Sequence, residues 1–137
     1  MEGQRTLILT SLRADGAPVA TPMWFCRVGE VIYCNTAAGS AKVRHVRLED
    51  RVCAVVEAGE DYFSLRGVRV EGRCRVVVDP DEVAQAEEAR RAKARRIGSG
   101  LEELPAWFLD SRDRRRAEGR RVWLRLDAER GPSWDFA

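Results

Sequence analysis

Thr6-Leu-Ile-Leu-Thr-Ser-Leu12, Ala14-Asp-Gly-Ala17 and Pro18-Val-Ala-Thr-Pro-Met-Trp-Phe-Cys26 follow one another with almost no chain between them. The outer two stretches read as strands, and Asp15-Gly16 between them is a strong hairpin signal. Val28-Gly-Glu30 turns the chain again into Val31-Ile-Tyr-Cys-Asn-Thr36. Links this short cannot carry the crossover that parallel strands need. The first third of the chain is therefore an antiparallel meander. Pro22 in mid-strand has no N–H to donate, which places it at an edge or at a break in the ladder.

Beyond the meander, Gly39-Ser40 makes a turn, and Val43, Val46 and Leu48 supply the apolar side of a short helix with Ser40 at its start. Val52 to Glu57 is a buried strand. Tyr62 to Val78 reads as one or two long strands. Within it Val68, Val70, Cys74 and Val76 alternate with Arg69, Glu71, Arg73 and Arg75, so one face is buried. Gly67 and Gly72 mark bulges or bends there. Asp79-Pro80-Asp81 caps a helix from near Glu82 to about Arg96, and Gly98-Ser-Gly100 breaks it. A second helix is expected over roughly Glu102 to Glu118, with Trp107 and Phe108 on its apolar side. Arg121 to Leu126 returns as a strand. The expected fold is mainly β with helices (α+β), an antiparallel barrel of Greek-key/meander type. At 137 residues it forms one domain, 1–137.

Charge and composition exclude several functions. The 24 basic residues are matched by 22 acidic ones, for a net charge of +2, which argues against nucleic-acid binding. No apolar run reaches the roughly 20 residues of a membrane span, and the N-terminus has no signal-peptide pattern, so no membrane association and a cytoplasmic location are expected. Cys26, Cys34, Cys53 and Cys74 stand singly, and His45 is the only histidine. No metal-ligand spacing results, and reduced, core-packed thiols are the expectation. Of the basic residues only Lys42 and Lys93 are lysine. A chain that otherwise writes positive charge as arginine keeps a compact ammonium at position 42.

That lysine closes the most informative segment, Asn35-Thr-Ala-Ala-Gly-Ser-Ala-Lys42. It leaves a strand, passes a turn of small residues, and enters a helix with a hydroxyl and an ammonium in its first turn. Free N–H groups and the helix dipole make such a place receptive to an anion. Ser40 serves there either as an ordinary N-cap or as an anion ligand. On the preceding strand, Trp24 and Phe25 are either core or a contact for a planar ring.

Taken in order, Asp15-Gly16, Pro18, Thr21 to Phe25, Thr36, Ser40, Lys42, Arg44, Gly59, Tyr62, Leu65 to Val68, Val70 and Gly72 resemble the pyridoxamine-phosphate-oxidase-like proteins. The similarity is to the small members that bind FMN or F420, it runs over nearly the whole chain, and Ser133-Trp134-Asp135 is similar to their tail. The resemblance implies a split β-barrel of FMN-binding type, built as a homodimer with cofactor at the subunit interface. It implies phosphate contacts from Ser40, Ala41, Lys42 and Arg44, with Asn35 and Thr36 touching the phosphate or ribityl chain. The backbone of Thr21, Pro22, Met23 and Trp24 then holds the ring. Departures bear on activity. Family oxidases that act on pyridoxamine phosphate carry a lysine where this chain has Cys26, and an Arg-x-His pair near the C-terminus that is missing here. The helix usual before the first strand is shortened or absent.

The resulting expectation is an FMN-dependent oxidoreductase that transfers hydride to or from a small molecule other than pyridoxamine phosphate. The alternative is F420 on the same fold, whose acidic tail the arginine-rich helices would meet. A non-catalytic flavin-binding or storage module, or an interaction domain without cofactor, is the reading of another class. Tyr62, Arg66 and Trp134 are candidates for the substrate side or for plain packing, and no catalytic residue is named.

Overall fold

The computed structural model describes residues 1–117 and 119–135, with Asp135 known by its backbone alone. Strands β1 (Thr6–Leu12), β2 (Pro18–Val28) and β3 (Val31–Ala37) form the expected meander. Helix α1 (Ala41–Leu48) leads to β4 (Arg51–Ala58) and β5 (Arg66–Val76). Helices α2 (Pro80–Ile97) and α3 (Ala106–Ala117) precede β6 (Arg121–Arg130) and the short β7 (Ser133–Asp135). The sheet runs β4-β1-β2-β3-β6-β5-β7, and a further β4–β5 pairing closes it into a six-strand antiparallel barrel. This is the antiparallel α+β barrel that the meander implied, and the split barrel that the family resemblance implied.

The closure is uneven. β1 pairs with β2 from Thr6↔Trp24 to Leu12↔Pro18, whereas β2 pairs with β3 only from Phe25↔Cys34 to Val28↔Val31. From Pro18 to Trp24 the other edge of β2 has no ladder, and Pro22 lies in that stretch. The expectation of a broken ladder at Pro22 is met. The inner core is built from alternate residues, among them Leu7, Leu9, Met23, Phe25, Ile32 and Leu124. Val43 and Val46 of α1 join that core, so the helix plugs one end of the barrel. A second cluster of Cys26, Tyr33, Val77, Ala86 and Trp123 glues α2 to the outside of the sheet.

Four sequence expectations are corrected. Leu48 is 71% exposed. It follows Val46 by two positions, about 200° around the helix, so it faces away from the core. Tyr62 to Val78 is not all strand, because Tyr62–Ser64 form a 3-10 turn. Asp61 accepts from the Phe63 and Ser64 amides and Ser64 reaches back to the Asp61 N–H, a capping box that outcompetes the sheet. Trp107 is 70% exposed, and α3 buries none of its residues. Finally, α3 starts at Ala106 rather than Glu102, because the Leu101 carbonyl closes a turn of its own with the Leu104 N–H, and the Pro105 carbonyl accepts the first helical bond, from Leu109. Its expected last residue, Glu118, lies outside the described residues.

The two glycines of β5 have separate causes. At Gly72 the ladder with β6 shifts register, and a Cβ would strike the Asp127 carbonyl. At Gly67 a Cβ would stand 2.5 Å from the Trp134 ring and 2.8 Å from the Val56 carbonyl oxygen. Here β5 is paired with β4 and β7 at once, and only a bare backbone fits.

An ionic clamp fixes α2. Glu82, in its first turn, accepts from Tyr33 Oη at 2.8 Å and from Arg125 Nη1 at 2.7 Å. Arg125 also grips Asp127 at 2.7 Å. Burial alone would push the Glu82 carboxyl up, but the hydrogen bonds from Arg125, Tyr33 and Arg75 prevail and hold it at about 2.

Two predictions follow from these contacts. Gly72→Ala should lower unfolding stability by about 1–3 kcal/mol, since the added carbon has no room. Glu82→Gln should cost about 2 kcal/mol at neutral pH, read from urea unfolding. The folded carboxyl titrates below its ordinary value, so the clamp contributes in full above about pH 4.5 and is lost as pH falls through about 2. The gap between wild type and the Gln variant should therefore close as the pH is lowered across that window.

Candidate functional site

Where the β2–β3 ladder ends, the two strands present different faces to the same gap. Trp24 and Asn35, the next pair in register after Phe25↔Cys34, do not join. Trp24 projects outward and is 45% exposed, while Met23 points into the barrel core. Pro22 is exposed and Thr21 half-buried. The side chain of Met23 is thus unavailable to any ligand on this edge. Its backbone is laddered to Leu7 of β1, and the open edge carries the polar groups of the alternate residues Pro22 and Trp24.

One residue beyond Asn35, Thr36 is buried at the start of the turn into α1. Its hydroxyl donates to Ser40 Oγ at 3.4 Å and accepts from Lys42 Nζ at 3.4 Å. These distances are long, as in a cluster gathered around a shared centre rather than closed on itself. Ser40 stands at the N-terminus of α1, yet its side chain makes no capping hydrogen bond. The hydroxyl is left to the cluster. The first N–H groups of the helix, beginning at the exposed Ala41, have no intrahelical partner by construction. Arg44 folds back instead, donating to the Gly39 carbonyl at 2.7 Å, and so holds the turn.

Lys42 is half-buried, and among the described residues it forms no ion pair with a carboxylate. Burial pulls its ammonium below the ordinary lysine range, and Arg121 pulls it further. Arg121 was not singled out by the sequence, where it reads only as the first residue of a strand. It reaches across from β6, donating from Nε to Asn35 Oδ1 at 2.6 Å and from Nη2 to the Asn35 carbonyl at 3.3 Å. Burial lowers Arg121 as well, followed by Arg116 and Arg112 of α3. The register Ala37↔Arg121 puts it there, a contact across 86 positions of sequence. Cationic side chains from three elements thus crowd a place lined by hydroxyls and free amides. Such an arrangement is chemically suited to an anion.

The remaining candidates fall elsewhere. Arg66 and Trp134 share a groove with Val56, Gly67 and Ser133, which has no residue in common with the pocket beside Trp24 and Asn35. Tyr62 lies exposed on the 3-10 turn, its ring edge-on to Phe63. Cys26 is buried beneath α2, where its thiol donates to the Ala86 carbonyl at 3.4 Å. Burial pushes that thiol up to about 11 and the Cys74 thiol to about 12. Lys93, the second lysine, reaches from α2 to donate to the Phe25 carbonyl at 3.0 Å, with its ammonium 3.4 Å from the Phe25 ring centroid. Burial lowers it to about 8. Among the described residues no cluster of metal-ligating side chains forms, and no helix is long and apolar enough to cross a membrane.

Solved structures share this architecture. A conserved hypothetical protein of Mycobacterium tuberculosis is 29% identical over 98% of this chain and 79% of its own, with a TM-score of 0.75. A FAD-binding protein of Mesorhizobium loti is 20% identical over 96% of this chain and 84% of its own, with a TM-score of 0.67. The heme storage protein HutZ of Vibrio cholerae is 16% identical over 96% and 85%, with a TM-score of 0.63. No curated protein sequence matches the chain. The family model for pyridoxamine 5'-phosphate oxidase matches residues 1–135, so the chain belongs to that family.

Proposed function

We propose that the chain is a flavin-dependent oxidoreductase subunit that binds FMN at the gap between β2 and β3. The observation that carries this reading is the half-buried Lys42 ammonium, set beside the Thr36 and Ser40 hydroxyls and Arg121 with no carboxylate partner among the described residues. That donor set suits a phosphate monoester: one point charge, one arginine fork, two hydroxyls and the amides of a helix start. The edge of β2 turned away from β1 offers the carbonyls of Pro22 and Trp24 and the Trp24 N–H to the rim of a flat heterocycle, and the Trp24 indole covers it. FAD-binding proteins among the structural neighbours support a flavin in general.

When bound, the flavin supplies hydride chemistry at its ring. The protein binds the phosphate, orients the ring along the free strand edge, and keeps one face of the gap apolar through Trp24. The substrate is a small molecule other than pyridoxamine phosphate. Cys26, where oxidases of that substrate carry a lysine, is sealed under α2 and offers no charge. F420 is the second reading. Exposed Arg114, Arg115 and Arg116 on α3 favour it, since an acidic cofactor tail would meet them.

The assembly is a homodimer that covers the outer face of β1, β2 and β4. Ile8 lies opposite both Pro22 and Val55 in the ladders, so this face carries an apolar row continuous with Trp24. Ile8 is 38% exposed in the single chain, a large residue that a partner would shield.

Lys42→Ala should weaken FMN binding about ten- to hundredfold in a fluorescence titration, with unfolding stability little changed. Equal affinity in wild type and variant would remove the phosphate assignment, and tighter binding of F420 than FMN would replace the cofactor. Turnover of the loaded protein with a reductant and acceptor pair separates an enzyme from a storage module. Light scattering should give twice the 15.5 kDa chain mass, and Ile8→Asp should shift it to one.

A further inference from the structure

A pocket opens between α2, α3 and the outside of β2, β3 and β6, next to the phosphate cradle but distinct from it. The two share a border at Asn35 and Arg121. The pocket walls are apolar where they meet the sheet and the loop after α2: Trp24, Phe25, Trp123, Ile97 and Leu101. Its charged lining is Arg5, Arg90, Lys93, Arg112, Arg116 and Arg121, with no aspartate or glutamate. In a chain whose charges nearly cancel, this is a local excess of one sign.

Three of those cations have carboxylate partners outside the lining: Arg5 with Glu103, Arg90 with Glu87, and Arg112 with Asp113. Lys93, Arg116 and Arg121 have none among the described residues. Arg5 is held in place by donating from Nη2 to the Ile97 carbonyl at 2.7 Å. Its Nε is nevertheless buried with no acceptor. A buried N–H without a partner is costly unless something polar meets it. Gly98 and Gly100 wrap this side chain at positive φ, and a Cβ at Gly100 would stand 2.8 Å from Arg5 Cδ. The loop is shaped around Arg5.

Size limits the occupant. The cavity holds about 130 Å³. An engineered cavity of about 150 Å³ accepts benzene, so a single ring fits here. Aromatic walls suit a flat ring, and arginine forks suit a planar carboxylate more than a lone ammonium would. From these features we infer that this pocket binds a small aromatic carboxylate, its ring against Trp24 and Trp123 and its acid group toward Arg116 and Arg121. As a binding site the pocket stands on its own geometry. As the seat of the substrate it rests on the flavin reading above, because Trp24 separates it from the strand edge where the ring would lie.

Calorimetry of the full chain, with and without saturating FMN, tests this with phenylacetate as probe, phenylacetamide as its uncharged counterpart, and triglutamate and inorganic phosphate as competitors. Phenylacetate should bind at or below about 1 mM, at least about tenfold more tightly than the amide. Arg116→Gln, and the double variant Arg112→Gln with Arg116→Gln, should weaken phenylacetate about tenfold or more with the thermal midpoint unchanged, and should weaken FMN far less than Lys42→Ala does. Lys42→Ala should weaken FMN and leave phenylacetate binding unchanged. Equal binding of acid and amide, no effect of the arginine variants, or binding of triglutamate in place of phenylacetate would each overturn the inference. Binding of phenylacetate by a protein that takes no flavin would keep the pocket and remove its role as substrate seat. Flavin binding without phenylacetate binding would remove the pocket and leave the flavin reading standing.

Discussion

The ladder between β2 and β3 stops at Phe25 and Cys34, and the rest of the molecule is arranged around that interruption. Pro22 can give nothing to a neighbour on that side, so from Pro18 to Trp24 β2 is paired with β1 alone and its other edge is bare. Freed from β2, β3 runs on paired only with β6 and turns into α1. One strand edge is thereby left open beside a helix start. Backbone polar groups that lie unpaired in this way must find partners in solvent, in another chain or in a ligand.

A barrel interrupted on one side has to be held elsewhere. Eight register pairs join β4 to β5, and β6 is laced to both β3 and β5. Val43 and Val46 close the open end from above, which fixes Ser40 and Lys42 at the mouth of the gap. On the outside, α2 is seated by an apolar patch around Ala86 and by the Glu82–Arg125–Asp127 clamp. Ion pairs of this kind add stability only when each partner is well hydrogen-bonded, and Glu82 has Tyr33, Arg75 and Arg125. The scaffold is rigid around the gap and bare at it.

The electrostatics follow the same division. Most arginines are tied to a carboxylate on the surface, and such exposed pairs contribute little. Around the gap the pairing fails. Lys42, Lys93, Arg116 and Arg121 have no carboxylate among the described residues, and burial lowers Lys42, Lys93 and Arg121 below their ordinary values. Cations held together without counter-charge raise the free energy of the empty protein, which is released when an anion enters. A net charge of +2 conceals this, because an average over the chain has no spatial content.

Local signals in the sequence determined most of the barrel. Asp15-Gly16, the period-two alternation of Val68 to Val76 and the Asp79-Pro80 cap are short-range patterns whose physics is complete within a few residues. The small-residue turn into Ser40 and Lys42 was legible for the same reason, as was the lone lysine among arginines. Where local patterns misled, a longer or competing interaction was the cause. The Asp61 capping box converted the start of a strand into a turn, and α3 placed Trp107 outward with no core to meet it. Arg121, Arg5 and the pocket they share were invisible, since each lies far in sequence from what it touches: Asn35 for the one, Ile97 for the other. The sequence by itself determined most elements of the barrel and the hydroxyl and ammonium at the start of α1. Only the tertiary structure decided which cations meet there, because the β3–β6 register and the α2 docking bring together residues that no local pattern connects.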